Sequence, residues 1–128
     1  MASFGRMLGN MMRPPGQGLE GRELQRFHTL KSKYESCVNS MLIRPNYEAF
    51  LEIGEMLLVV SQQVTMEFIL HMKQHLDISK SAPVILLLLS LVDFLVKNGN
   101  SKLWRAFNAD NGDFMNALSR SVRKFYAL

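Results

Sequence analysis

The stretch SAPVILLLLSLVDFLVKNG, residues 81–99, decides the fold. Its apolar run is too short for the roughly 20 apolar residues that span a bilayer, and Asp93 sits inside it. Ser81 with Pro83 is a helix start, and Asn98-Gly99 is a helix stop. Between them lies a helix apolar on nearly every side. Such a helix is expected to be the most buried element of its domain, wrapped by others.

Helical periodicity extends to both sides of this run. Upstream, Leu24, Phe27, Leu30, Tyr34, Val38 and Met41 step by three and four, which predicts a first long helix. Arg44-Pro45-Asn46 breaks it, because proline removes a donor and disfavours helix at the residue before it. Asn46 then caps a second helix with Phe50, Ile53, Leu57 and Leu58 inward and Glu48, Glu52 and Glu55 outside. A third helix near residues 62–76 points Val64, Phe68, Met72 and Leu76 inward.

Downstream of residue 99 comes a short fifth helix holding Leu103, Trp104 and Phe107. Residues 108–112 carry turn chemistry, and Asp113 opens a sixth helix with Phe114, Leu118, Val122 and Phe125. No segment alternates as a strand does. The expectation is an all-α domain of about six helices over residues 23–128, with short links that favour antiparallel neighbours.

Residues 1–22 read differently. They hold five of the eight glycines and Pro14-Pro15, so a flexible arm is expected there. Within it Phe4, Met7, Leu8 and Met11 fall at helical spacing, flanked by Arg6 and Arg13. On an anionic membrane the apolar four would enter the lipid while the two arginines meet phosphate.

Charge and composition narrow the function classes. The 128 residues carry a net charge of +4, with basic ends and an acidic middle. Residues 1–33 hold six basic side chains against two acidic, residues 34–101 four against seven, and residues 102–128 five against two. Basic ends suit anionic lipid, nucleic acid or an acidic peptide, and charge alone does not choose among them. The single cysteine, Cys37, excludes an internal disulfide and reads as a core thiol.

Catalytic patterns are missing: there is no phosphate-cradling glycine loop and no Gly-x-Ser-x-Gly. His71 and His75 lie four apart, but spacing suggests no third ligand, so no metal and no cofactor are expected. Residues 108–113 lack the ligand pattern of a calcium loop, since Ser119 stands where the bidentate glutamate belongs. Asp93 is expected to hydrogen-bond at the end of the apolar helix. The chain is expected not to be an enzyme.

LLSLVDFLVKN, residues 88–98, resembles the fourth-helix signature of VHS domains, a leucine-rich run leading into Leu-Val-Lys-Asn. Asp113-Phe114 through Leu118 is similar to that family's Asp-Phe-Leu-x-x-Leu. Asn46-Tyr47 through Ile53 occupies the place of its Asp-Trp-x-x-x-x-x-Ile, with tyrosine for tryptophan. Lys97-Asn98-Gly99-Asn100 resembles the Lys-Asn-Gly-Ser of ENTH domains. Asp93 to Asn98 also resembles a run in the domain that reads the RNA polymerase II C-terminal tail.

All three relatives imply a right-handed superhelix of helical hairpins. The VHS resemblance covers about residues 30–128 and implies an adaptor-type binding module in vesicle traffic, peripheral on endosome or Golgi membranes in the cytoplasm. Its ligand would be a sorting peptide, ubiquitin or a phosphoinositide membrane, with no nucleic acid partner. VHS domains have eight helices, so the last ones are expected to be lacking, and with them a complete acidic-dileucine groove. The family's ubiquitin patch maps onto Tyr47 and Leu51. ENTH domains share the layout of a leader that folds on phosphoinositides. The alternatives are a nuclear reader of the phosphorylated polymerase tail, using Arg120, Arg123 and Lys124 for phosphate, or a helical scaffold in a larger complex.

Overall fold

The computed structural model describes residues 13–39, 41–42, 44–99 and 101–126. Six helices account for most of them: α1 Gly21–Cys37, α2 Tyr47–Val59, α3 Gln62–Ile78, α4 Ala82–Asn98, α5 Ser101–Phe107 and α6 Ala109–Tyr126. No strand occurs among the described residues. The all-α expectation holds, with the number of helices read from the sequence. No helix among the described residues is long and apolar enough to cross a membrane.

Local chemistry sets the boundaries. Asn46, Ser61 and Ser81 each offer a side-chain oxygen to the backbone N–H three residues on, at Ala49, Val64 and Val84. Each such cap satisfies a donor that the first helical turn leaves orphaned. At the other end of α4, Gly99 is needed for close approach. A Cβ there would stand 2.3 Å from the Leu95 carbonyl oxygen and 2.8 Å from Leu103 Cδ2. Its φ of −85° lies outside the left-handed region, so crowding rather than backbone freedom selects glycine. α6 starts irregularly, with Asp110, Asn111 and Gly112 all left-handed at φ 55°, 58° and 76°. Asp, Asn and Gly are the residues that tolerate that region.

The helices form two rows. In one, α1 packs on α3 and α3 on α5; in the other, α2 packs on α4 and α4 on α6. α1 against α2, α3 against α6, α4 against α5 and α5 against α6 tie the rows together. The shared core is built from Phe27, Leu30 and Tyr34 of α1, Phe50 and Ile53 of α2, Phe68 and Met72 of α3, Leu88 and Leu91 of α4, and Phe107 and Phe114 beyond.

Several inward positions turn outward. α1 stops at Cys37, and Met41 beyond it is exposed. Leu57 is buried while Leu58 faces solvent, and Trp104 is exposed beside buried Leu103. α4 is not wrapped on all sides. Val84, Ile85, Leu87, Leu88, Leu91, Val92 and Leu95 are buried, but Leu86 and Val96 are exposed. Asp93 lies on the open face and pairs with Lys97 at 3.0 Å, so it carries no buried hydrogen-bonding role.

The expected flexible arm through residue 22 is corrected for residues 13–20. Arg13 clamps Glu67 of α3 through both nitrogens, at 2.8 and 3.0 Å, and the Gly16 N–H donates to the same carboxylate at 2.8 Å. The Gln74 side-chain amide donates to the Arg13 carbonyl at 2.7 Å. Leu19 is buried, and a Cβ at Gly16, itself at φ 91°, would strike the Phe27 ring at 2.7 Å. Residues 13–20 are therefore a strap bound to α3.

Candidate binding surface

α2 presents an apolar stripe that the core does not use. Tyr47, Leu51 and Leu58 are the first, fifth and twelfth residues of the helix, spaced by four and seven, hence on one side of it. They are 60%, 52% and 58% exposed. Glu48, Glu52 and Glu55 flank the stripe, also exposed. Glu52 pairs with Lys33 of α1 at 2.5 Å, an exposed bridge that a partner's cation could exchange at little cost.

The Tyr47 ring is anchored from below. It meets Phe50 edge-on at 5.5 Å, and Phe50 in turn lies 5.9 Å from Phe94 of α4. A ring held on one edge and open on the other loses little freedom when a ligand covers it, which favours a binding anchor. The sequence placed Tyr47 and Leu51 together, and the structure does the same. It adds Leu58, whose helical phase relative to Leu57 decides which of the two adjacent leucines faces the core.

The arm residues Phe4, Arg6, Met7, Leu8 and Met11 lie outside the described residues. Arg13 is described, and its guanidinium is committed to Glu67. It is therefore corrected from a lipid-phosphate ligand to the anchor of the strap.

The three cations of α6 share one side of that helix by their spacing. Arg120 is 3.7 Å from Asp77, and the Arg123 Nε–H donates to the Ser119 carbonyl at 3.5 Å. Arg123 also lines a groove with Leu89, Leu118 and Val122 between α4 and α6. Arg123 and Lys124 are exposed, whereas Arg120 already has a carboxylate beside it.

One cluster was not legible in the sequence. The buried Tyr34 hydroxyl and His75 Nδ1 are 2.6 Å apart, and the rings of His71 and His75 both stand edge-on to Tyr34. Burial lowers the pKa of His75, with Glu35 opposing it. Burial also lowers that of His71, helped by Lys31 and His75 and opposed by Glu35. Both imidazoles are thus neutral at pH 7, and Tyr34, raised by burial, keeps its proton. Among the described residues no group of three or more His, Cys, Asp or Glu could hold a metal. Burial likewise pushes the Cys37 thiol up to about 11, which keeps it an un-ionised, unreactive thiol.

The histidine shifts fix a pH dependence. The unfolded chain binds protons with the ordinary pKa near 6.5, while the folded chain resists them to lower pH. Between those values the unfolded state holds more protons, so stability is full above about pH 6.5 and falls as the pH drops below it. Urea unfolding at several pH values from 7.5 to 5.5 checks this. The midpoint should fall with acid, and His71→Gln/His75→Gln should flatten the slope.

Comparison with models of known protein families, with characterised proteins and with solved structures finds no match.

Proposed function

We propose that this chain is a non-catalytic binding module of the VHS/ENTH kind, acting in intracellular vesicle traffic on the cytoplasmic side of endosome or Golgi membranes. The observation that carries the reading is the open stripe Tyr47, Leu51 and Leu58 on α2. It is apolar at its centre and acidic at its rim, and so complements a protein ligand with a small apolar patch and basic surroundings. Ubiquitin is the ligand proposed for this face.

The resembling motifs support the family reading by where they fall. Leu95-Val96-Lys97-Asn98 closes α4, Asp113-Phe114 stands just after the left-handed break in α6, and Tyr47 is the first residue of α2. Phe114 is buried against Phe107, with ring centroids 5.1 Å apart. Residues 1–12 remain a proposed contact to phosphoinositide membranes through Phe4, Arg6, Met7, Leu8 and Met11, without Arg13.

The second reading, a nuclear reader of the phosphorylated polymerase tail, is favoured by Arg123 at the α4–α6 groove, with exposed Lys124 next to it in the chain. One binding panel separates the two: ubiquitin, phosphoinositide liposomes and a phosphorylated polymerase-tail peptide, each offered to the full chain. The vesicle-traffic reading expects retention on the first or second. Retention on the tail peptide alone, lost in Arg123→Ala/Lys124→Ala, would replace it.

A further inference from the structure

α4 has both flanks occupied and one face open. Phe94 meets Phe50 of α2 with ring centroids 5.9 Å apart, while Leu89 lines a groove with Leu118, Val122 and Arg123 of α6. Phe94 and Leu89 are five residues apart, about 140° around a helix, so α2 and α6 lie on opposite flanks. Between them Leu86, Asp93 and Lys97 face outward. The surface row is therefore α2, α4, α6.

The two outer helices carry opposite charge. α2 holds Glu48, Glu52 and Glu55 and no lysine or arginine. Beyond Asp113, α6 holds Arg120, Arg123 and Lys124 and no carboxylate. Each set lies toward the outer edge of the row, since Glu52 reaches Lys33 of α1 and Arg120 stands beside Asp77 of α3. Apolar side chains lie inside these edges: Tyr47, Leu51 and Leu58 on one side of α4, Leu89, Leu118 and Val122 on the other. Across the row the order is carboxylates, apolar stripe, α4, apolar groove, cations.

We propose that a second copy of this chain docks on this row about a two-fold axis parallel to α4, so that each copy's α2 lies against the other's α6.

Rotation about that axis exchanges the outer helices, so the facing copy presents α6 opposite α2 and α2 opposite α6. One contact is thus made twice, as an isologous dimer requires. In each, the apolar stripe meets the apolar groove while carboxylates meet cations at the edge, an apolar centre with a polar rim. A two-fold axis running across α4 would instead stack α2 on α2 and α6 on α6, setting like charges together, which is unfavourable. Charge selects the first axis. The dimer goes beyond the ubiquitin reading but uses the same stripe of α2, so ubiquitin and the second copy compete for it. Its test contains no ubiquitin, and either can fail alone.

Sedimentation velocity of the full chain from about 1 μM to about 1 mM should show a monomer–dimer equilibrium and no larger species. Glu48→Lys/Glu55→Lys and Arg123→Glu/Lys124→Glu should each weaken dimerisation at least about tenfold, since like charges then oppose at both contacts. Mixed in equal amounts, the two variants should form a one-to-one dimer, because both contacts of the mixed pair regain opposite charge. All four residues are exposed, so the variants keep the fold. An unsubstituted chain that stays monomeric to about 1 mM overturns the proposal without any variant, and leaves the cations of α6 to an external acidic partner. A dimer that neither reversal weakens, a mixture that stays monomeric, or growth beyond a dimer would overturn it as well.

Discussion

Leu88→Ala should lower the free energy of unfolding by about 3–5 kcal/mol, whereas Leu86→Ala, two residues away on the same helix, should change it by less than about 0.5 kcal/mol. Leu88 is fully buried in the shared core and Leu86 is 47% exposed. Truncating Leu88 removes its transfer free energy and leaves a cavity among side chains from neighbouring helices that close only partly around it. Truncating Leu86 uncovers little that water does not already reach. For a domain of this size each kcal/mol moves Tm by about 3–6 °C, so the two variants should be separable in a single thermal scan. Equal losses would mean that α4 is enclosed on all sides.

The second large effect is at the strap. Arg13→Ala should cost about 1–3 kcal/mol, because it leaves the buried Glu67 carboxylate with one donor, the Gly16 N–H. Arg13 is about one-third exposed, which keeps the figure below that of a fully buried pair. Removing the charge as well, as Arg13→Ala/Glu67→Gln, should recover part of the loss, since no unpaired charge then remains inside and the amide oxygen can still accept from the Gly16 N–H. A double-mutant cycle in urea measures the coupling. A loss below about 0.5 kcal/mol for Arg13→Ala would show that the strap is not held by this pair.

These two sites also mark where the sequence was informative. Residues 81–99 fixed a helix by its start and stop signals, and the structure agrees. Its phase was harder to read, because apolar side chains all round give periodicity little contrast. The signal that was present lies in Ser90, Asp93 and Lys97, which share one stripe with Leu86 and trace the open face. The strap failed for another reason. Glycine and proline composition reports backbone preference, but it cannot report that a buried carboxylate on a helix some fifty residues away waits for Arg13 and Gly16.

The candidate surface was half legible. Tyr47 and Leu51 emerge from helical spacing alone, four apart on the second helix. Leu58 was assigned inward because Leu57-Leu58 offers two apolar neighbours and only the phase of the folded helix chooses between them. The Tyr34–His75 contact depends on the register of α1 against α3, a tertiary quantity with no local signature. A buried tyrosine hydroxyl must find a partner, yet nothing in the first helix says which one.

The central claim, that the exposed face of α2 binds a protein ligand, is tested most directly by titrating ubiquitin into the labelled full chain and following its amide signals. A small patch with one aromatic anchor predicts saturable shifts clustered at residues 46–55, and a Kd weaker than about 10 μM. Tyr47→Ala should weaken binding about tenfold without altering Tm. Shifts centred elsewhere, no saturable change at mM ubiquitin, or unaltered affinity in Tyr47→Ala would contradict the account.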